Sequence, residues 1–257
     1  MTDVADAVAR LDALTRRLRR DCPWDREQDE RSIVPHTVEE AYELAQAAHD
    51  GDDAKLLDEL GDVLFQVHFL ALLLEERGAG SLADVADHVH EKLVRRHPHV
   101  FPPDAARAEL REVRASSDVL RNWDAIKATE TGREPGIFGE VPENLPGPLF
   151  ARKVQRRAAS TGFDYANVPY DGVREELAEL EEAESTEERF DEVGDLLFAA
   201  VNVARKLKVD PELALHAAGR RFRSRVESAA DRAARDGVDW NDLEPEAQLG
   251  YYAGTKP

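Results

Sequence analysis

The 257-residue sequence predicts an all-α protein made of two tandem halves, and three observations carry that prediction. Ala, Leu, Glu, Arg and Asp dominate while aromatic and β-branched residues are sparse, a balance that favours helix over sheet. No segment shows the apolar/polar alternation of a strand. Between Thr131 and Pro148, TGREPGIFGEVPENLPGP carries four prolines and four glycines, and no helical period survives that density. The expected organisation is therefore a helical domain at 1–130, a linker at 131–148 and a second helical domain at 149–257.

The elements follow in order. The opening MTDVADAVARLDALTRRLRR carries early acids and reads as an amphipathic helix near 3–20, not as a signal peptide. Helices are expected next near 38–49, 54–76, 81–96 and 105–128. Gly51 and Gly78 fall just past two of these ends, where a left-handed cap conformation is needed. Beyond the linker, helices are expected near 148–160, 171–183, 187–206, 211–235 and 241–249. Ser185 followed by Glu188 fits a capping box that opens the third of these. Each half shows the same plan of helices and short breaks, as duplicated bundles would.

Composition limits the function classes. The lone Cys22 rules out an internal disulfide and suits a reducing compartment. The longest apolar run, Leu64 to Leu74, contains His68 and is too short to span a bilayer. A cytoplasmic protein without a membrane partner is expected. A net charge of −19 argues against nucleic-acid polymers, whose affinity comes largely from phosphate neutralisation by Lys and Arg. A small phosphorylated ligand remains compatible, because a bound cation and a few local basic residues outweigh the global field.

The acids carry the chemistry. Glu39, Glu40 and Glu43 fall within an arc of roughly 100° on one helix face. Glu59 and Asp62, three apart, share a face of the next helix. Glu175, Glu176, Glu179, Glu192 and Asp195 repeat the pattern in the second half. Gly61 and its counterpart Gly194 sit inside these helices, where Gly costs roughly 1 kcal/mol against Ala. Repulsion and a poor helix former at matching places in both halves point to a site. A hard divalent cation is the physical candidate, since Mg²⁺ takes oxygen ligands and is shared between carboxylates and substrate phosphates. The competing account is a solvated acidic face on a very acidic protein. The repetition of the two-part pattern with its glycine weighs against it.

Each acid set is followed by a basic helix. Lys92 and Arg96 are four apart and stack on one face, as do Arg221 and Arg225. Such pairs grip phosphate oxygens, Arg as a bidentate fork and Lys as a point charge. Surface pairing with neighbouring acids remains the open alternative. His88 and His90 point apart on a helix and His97 and His99 flank Pro98, so zinc is not expected. A di-iron bundle would need Glu-x-x-His, which the chain lacks. Trp24 and Trp123 fit either core or base stacking, with core the default for that residue type.

Glu-Glu-x-x-Glu, a spacer, then Glu-x-x-Asp resembles the signature of the all-α nucleoside triphosphate pyrophosphohydrolases, and the two-copy form is similar to the MazG family. Both copies are complete, with fifteen spacer residues in the first (44–58) and twelve in the second (180–191). CPWD at 22–25, RRHPHVF at 95–101, NWDAIK at 122–127, ARKVQRRAASTGFDY at 151–165 and GDLLFAAVN at 194–202 also look like MazG segments in the expected order. The resemblance implies two tandem four-helix modules that assemble as a homodimer. It implies Mg²⁺-dependent cleavage of nucleoside triphosphates to monophosphate and pyrophosphate, with Mn²⁺ as a substitute ion, in nucleotide-pool housecleaning. The implied metal ligands are Glu40, Glu43, Glu59 and Asp62, and Glu176, Glu179, Glu192 and Asp195. The implied phosphate contacts are Lys92, Arg96, Arg221 and Arg225, and the second copy is the one usually regarded as catalytic. Two departures stand out: Arg221 occupies a place where relatives commonly carry Lys, and Gly250 or Tyr251 falls where relatives tend to have a Trp that closes over the nucleotide.

Glu39 and Glu175, not needed as ligands, are the expected groups to accept or orient the proton of the attacking water. The rival accounts are a non-catalytic helical protein that binds metal or nucleotide, and a pyrophosphatase selective for one nucleotide.

Overall fold

A computed structural model describes residues 3–102, 136–139 and 141–255. Every regular element among the described residues is helical. The chain divides into two compact units, Met1–Lys127 and Ala128–Pro257. The helix expected at 105–128, and residues 131–135 and 140 of the expected linker, lie outside the described residues. No helix among those described is long and apolar enough to cross a membrane.

The first unit contains α1 (Val4–Asp21), α2 (Pro23–Glu27), α3 (Glu30–Asp50), α4 (Asp53–Glu76) and α5 (Leu82–Arg96). Asp3 caps α1 by accepting from the Ala5 amide, and Ser81 and Asp84 form a reciprocal box at the start of α5. The start of α3 differs from expectation: it lies at Glu30, eight residues before 38, with Pro35 inside the helix. Pro35 removes one i→i−4 bond. The first turn holds without it, because Asp29 accepts from the Ser32 amide while the Ser32 hydroxyl accepts from the Asp29 amide. The short α2 has no counterpart among the expected elements. It is too brief to show a period, and Pro23 at its first position is the signal that marks it.

The α3–α4 hairpin is the frame of this unit. Gly51 closes its turn in the left-handed region, at φ 70°, as the sequence requires. At the open end Ile33 of α3 packs with Phe69 and Leu73 of α4, all essentially buried, with Phe65 and Leu70 against them. Two bidentate ion pairs fasten α1 to the far end of α4. Arg16 donates to both Glu75 carboxylate oxygens (3.1 and 2.6 Å), and Arg19 to both of Glu76 (2.9 and 2.8 Å).

The second unit contains α6 (Gly147–Ser160), α7 (Tyr170–Glu182), α8 (Thr186–Lys206), α9 (Pro211–Arg235), a 3₁₀ turn (Trp240–Asp242) and α10 (Pro245–Ala253). The expected 241–249 helix resolves into that turn and α10, because Pro245 cannot continue a helix but starts one well. The predicted capping box at Ser185 and Glu188 is present. Gln155 of α6 is buried and donates to the Phe198 carbonyl of α8 at 2.7 Å. Asp164 binds both Arg205 and Lys206, and Arg152 of α6 pairs with Asp210, the residue that caps α9.

The α7–α8 hairpin repeats α3–α4 with a turn one residue longer and a shorter first arm. Seven helical residues follow the last acid in α3 (44–50), but three follow it in α7 (180–182). The four-residue difference is close to one helical turn, so the carboxylates of both copies face their partner helix in the same way.

A Cβ added at Gly61 or Gly194 would meet nothing within 4 Å. Neither glycine is required by packing within its own unit. Gly194→Ala should therefore raise the urea midpoint of the ligand-free chain at concentrations where it is monomeric, by about 0.5–1 kcal/mol in stability. A destabilised variant would mean that this face is covered in solution.

Candidate active site

Each hairpin brings three carboxylates together between its ends. One oxygen each from Glu40, Glu43 and Glu59 lie within 4.8 Å of one another, as do oxygens of Glu176, Glu179 and Glu192. Two come from the first helix of the hairpin at i and i+3, and the third from the facing helix. Glu59 is buried, Glu40, Glu176 and Glu192 are half-buried, and Glu43 and Glu179 are exposed.

Proton affinities record the crowding. Burial, followed by the charges of Asp62, Glu43, Glu59 and Glu39, raises the Glu40 pKa above its ordinary 4.5. Burial also raises Glu176, reinforced by Glu179, Asp195 and Glu175. Glu192 is raised by burial, Glu179, Asp195, Glu176 and Asp191. Asp62 and Asp195 stand outside the trios but within their field. The buried Oε2 of Glu192 has no hydrogen-bond partner. An unsatisfied carboxylate oxygen among like charges is what a cation would relieve, and an all-oxygen donor set suits a hard divalent ion.

The two copies are not equivalent. In the first, Lys55 lies four residues before Glu59 and places Nζ 3.7 Å from its Oε1. The corresponding position in the second is Glu188, which is engaged in the cap of α8. Lys55 is not among the expected site residues, although its i,i+4 spacing from Glu59 is readable in the sequence. Glu39 stands apart from its trio, 70% exposed, with Oε2 3.4 Å from His36 Nδ1.

The basic residues occupy the expected helices. Lys92 and Arg96 are half-buried on α5, and Arg221 is exposed on α9. Arg225 is held by the C-terminal helix: its guanidinium lies 4.1 Å from the Tyr252 ring centre, and Nε donates to Thr255 Oγ1 at 3.2 Å. Phe222 packs against the Tyr252 ring, with ring centres 5.5 Å apart, and the Tyr251 hydroxyl donates to Asp236 at 3.0 Å. Trp24 departs from the default for its type. It is 51% exposed, not core. Trp123 lies outside the described residues.

A domain model described as the MazG nucleotide pyrophosphohydrolase domain matches residues 28–101, which span α3, α4 and α5. The chain is 38% identical to the nucleoside triphosphate pyrophosphohydrolase/pyrophosphatase MazG of Thermotoga maritima, over 91% of this chain and 89% of that one. It is 35% identical to the nucleoside triphosphate pyrophosphohydrolase of Escherichia coli K12, over 97% of each chain. It also matches, at 38% identity, 46% of the longer Bacillus subtilis protein YabN.

Two outcomes follow from the acid geometry. Glu192→Gln should stabilise the metal-free chain at neutral pH. The raised pKa means the charged carboxylate opposes folding above it, so the gain shrinks as pH falls through the raised value toward 4.5. Thermal melts of both forms from pH 4 to 8 test the sign. Lys55→Met removes a cation that competes for Glu59, and should tighten Mn²⁺ binding at the first trio by roughly 1.4- to 5-fold, as expected for a half-exposed pair. Electron paramagnetic resonance titration of the full chain, with the second trio silenced by Glu176→Gln and Glu179→Gln, reads that change.

Proposed function

The chain belongs to the MazG family of nucleotide pyrophosphohydrolases, and from that premise we infer how its paired acid sites serve the reaction. The protein is a hydrolase that converts nucleoside triphosphates to nucleoside monophosphate and pyrophosphate. The observation that supports a site-level reading is the recurrence of one carboxylate trio in each hairpin.

Glu40, Glu43 and Glu59, with Asp62, hold a divalent cation in the first copy, and Glu176, Glu179 and Glu192, with Asp195, hold one in the second. Mg²⁺ is the physiological ion on this reading, with Mn²⁺ able to replace it, because every donor is a hard oxygen. When bound, the cation neutralises triphosphate charge and lowers the pKa of coordinated water. Glu39 and Glu175, not ligands in this assignment, take or orient the proton of the attacking water. Lys92, Arg96, Arg221 and Arg225 bind the triphosphate and stabilise the pyrophosphate as it leaves. Tyr252 and Thr255 already restrain the Arg225 guanidinium, which reduces the ordering needed when phosphate arrives.

A homodimer completes the assembly. Leu57, Leu60, Leu64 and Val67 form an exposed stripe at helical spacing on α4, and Phe190, Val193 and Leu197 form another on α8. Stripes of this kind call for a second apolar surface. The setting is the cytoplasm, consistent with the free Cys22, and the role is housecleaning of the nucleotide pool.

Incubation with each common NTP and dNTP, with Mg²⁺ or with chelator, should yield monophosphate and pyrophosphate only with the metal. Diphosphate and orthophosphate would refute the cleavage position. Glu176→Ala or Asp195→Ala should reduce turnover by more than the roughly 10- to 100-fold that loss of an outer-shell partner costs, with an unchanged circular dichroism spectrum. Full activity in both variants would remove the second trio from the chemistry.

A further inference from the structure

We propose that Trp24 and His36 form a nucleobase platform serving the first acid trio, so that the first copy binds whole nucleotides through its own base contact. The proposal rests on reading that trio as a metal–triphosphate site.

Half of the Trp24 surface faces water, an unusual position for so large an apolar ring. The residue is nevertheless rigidly carried. Gln28 Nε2 donates to the Trp24 carbonyl at 2.9 Å, and Arg19 Nη1 donates to the carbonyls of Asp25 (2.6 Å) and Gln28 (3.0 Å). Arg19 is itself fixed to Glu76 of α4, and the neighbouring Asp25 is buried. A short helix so heavily tethered, yet presenting an exposed indole, holds that ring ready for a partner instead of letting it collapse into the core.

The place of the ring suggests which partner. Its centre lies 6.0 Å from the ring of His36, edge to face at 62°, and His36 is itself half-exposed. His36, Glu40 and Glu43 occupy positions i, i+4 and i+7 of α3 and so share one face. At 1.5 Å per residue, the aromatic pair stands roughly 6 to 10 Å along the helix from the two acids. That separation matches the reach from a nucleobase to the α and β phosphates of an extended nucleotide. With the phosphates on the metal held by Glu40, Glu43 and Glu59, the base arrives at the indole face. Stacking on an aromatic side chain tolerates any base, and is worth about 5- to 150-fold in affinity.

Gly172 stands four residues before Glu176, where the first copy has His36 before Glu40, so the Trp24–His36 pairing is not repeated in the second copy. The rings exposed ahead of α7 there are Phe163 and Tyr165.

Trp24 can be made the sole tryptophan by Trp123→Phe and Trp240→Phe, so that its emission reports the first site alone. With Mg²⁺, an α,β-methylene nucleoside triphosphate should quench that emission saturably, while inorganic tripolyphosphate should bind without quenching. In the otherwise native chain, Trp24→Leu should weaken one class of analogue sites by about 5- to 150-fold in calorimetry and leave tripolyphosphate affinity unchanged. Equal binding of both ligands with no change in Trp24 emission would overturn the platform and leave the hydrolase reading intact. Binding of neither ligand at the first copy, in a chain that still hydrolyses nucleotides, would overturn it together with the first trio's role. Emission that changes with protein concentration and not with nucleotide would assign Trp24 to contact between copies instead.

Discussion

Mutual repulsion among carboxylates is the constraint around which each hairpin is organised. Three acids whose oxygens lie within 4.8 Å, with raised proton affinity at Glu40, Glu176 and Glu192, push their own helices apart. The first hairpin answers by clamping both ends. The turn at Gly51 fixes one end, and Ile33, Phe69 and Leu73 seal the other. Arg16 and Arg19 then fasten α1 to Glu75 and Glu76 beyond that seal. The acids occupy the stretch between the clamps, so their strain is carried by structure that makes no use of them. Such an arrangement lets a site remain electrostatically unfavourable until a cation enters, without needing the cation to fold.

The two hairpins differ in their surroundings, not in the trio. The first copy has a lysine beside one acid and an aromatic ring pair whose His36 precedes the others on α3; the second has an orphaned carboxylate oxygen and an arginine restrained by its C-terminal helix. Each change alters local charge or local contact while the three acids persist. The copies thus carry the same carboxylate trio with different neighbours.

Much of this was legible in the sequence, for identifiable reasons. The Ser185 cap is a local pattern with fixed spacing and is present as expected, and the same kind of spacing brings Glu40, Glu43 and Glu59, and Glu176, Glu179 and Glu192, together. Gly51 required a left-handed cap, and has one. What escaped were features decided by tertiary context. The α3 start lies eight residues ahead of expectation because the Asp29–Ser32 box that opens the helix lies outside the usual Ser/Thr-x-x-Glu form. Core is only the default for Trp24 by residue type, and nothing in one sequence announces that a tethered short helix will hold it out in water. Lys55 was readable from spacing, yet a lone Lys–Glu pair is so common on helices that it carries no flag.

The unequal arms of the two hairpins have a consequence for how such chains can vary in length. Between the last acid of the first helix and the turn, the copies differ by four residues, close to one full rotation of the helix. Insertions of one or two residues there would swing the carboxylates about 100° or 200° away from their partner. The arm is therefore quantised: it accepts length changes near whole turns and rejects those between. Natural variation in this segment should come in steps of three or four residues, while the distance from cap to acid on the opposite arm, seven residues in both copies (52–59 and 185–192), stays fixed.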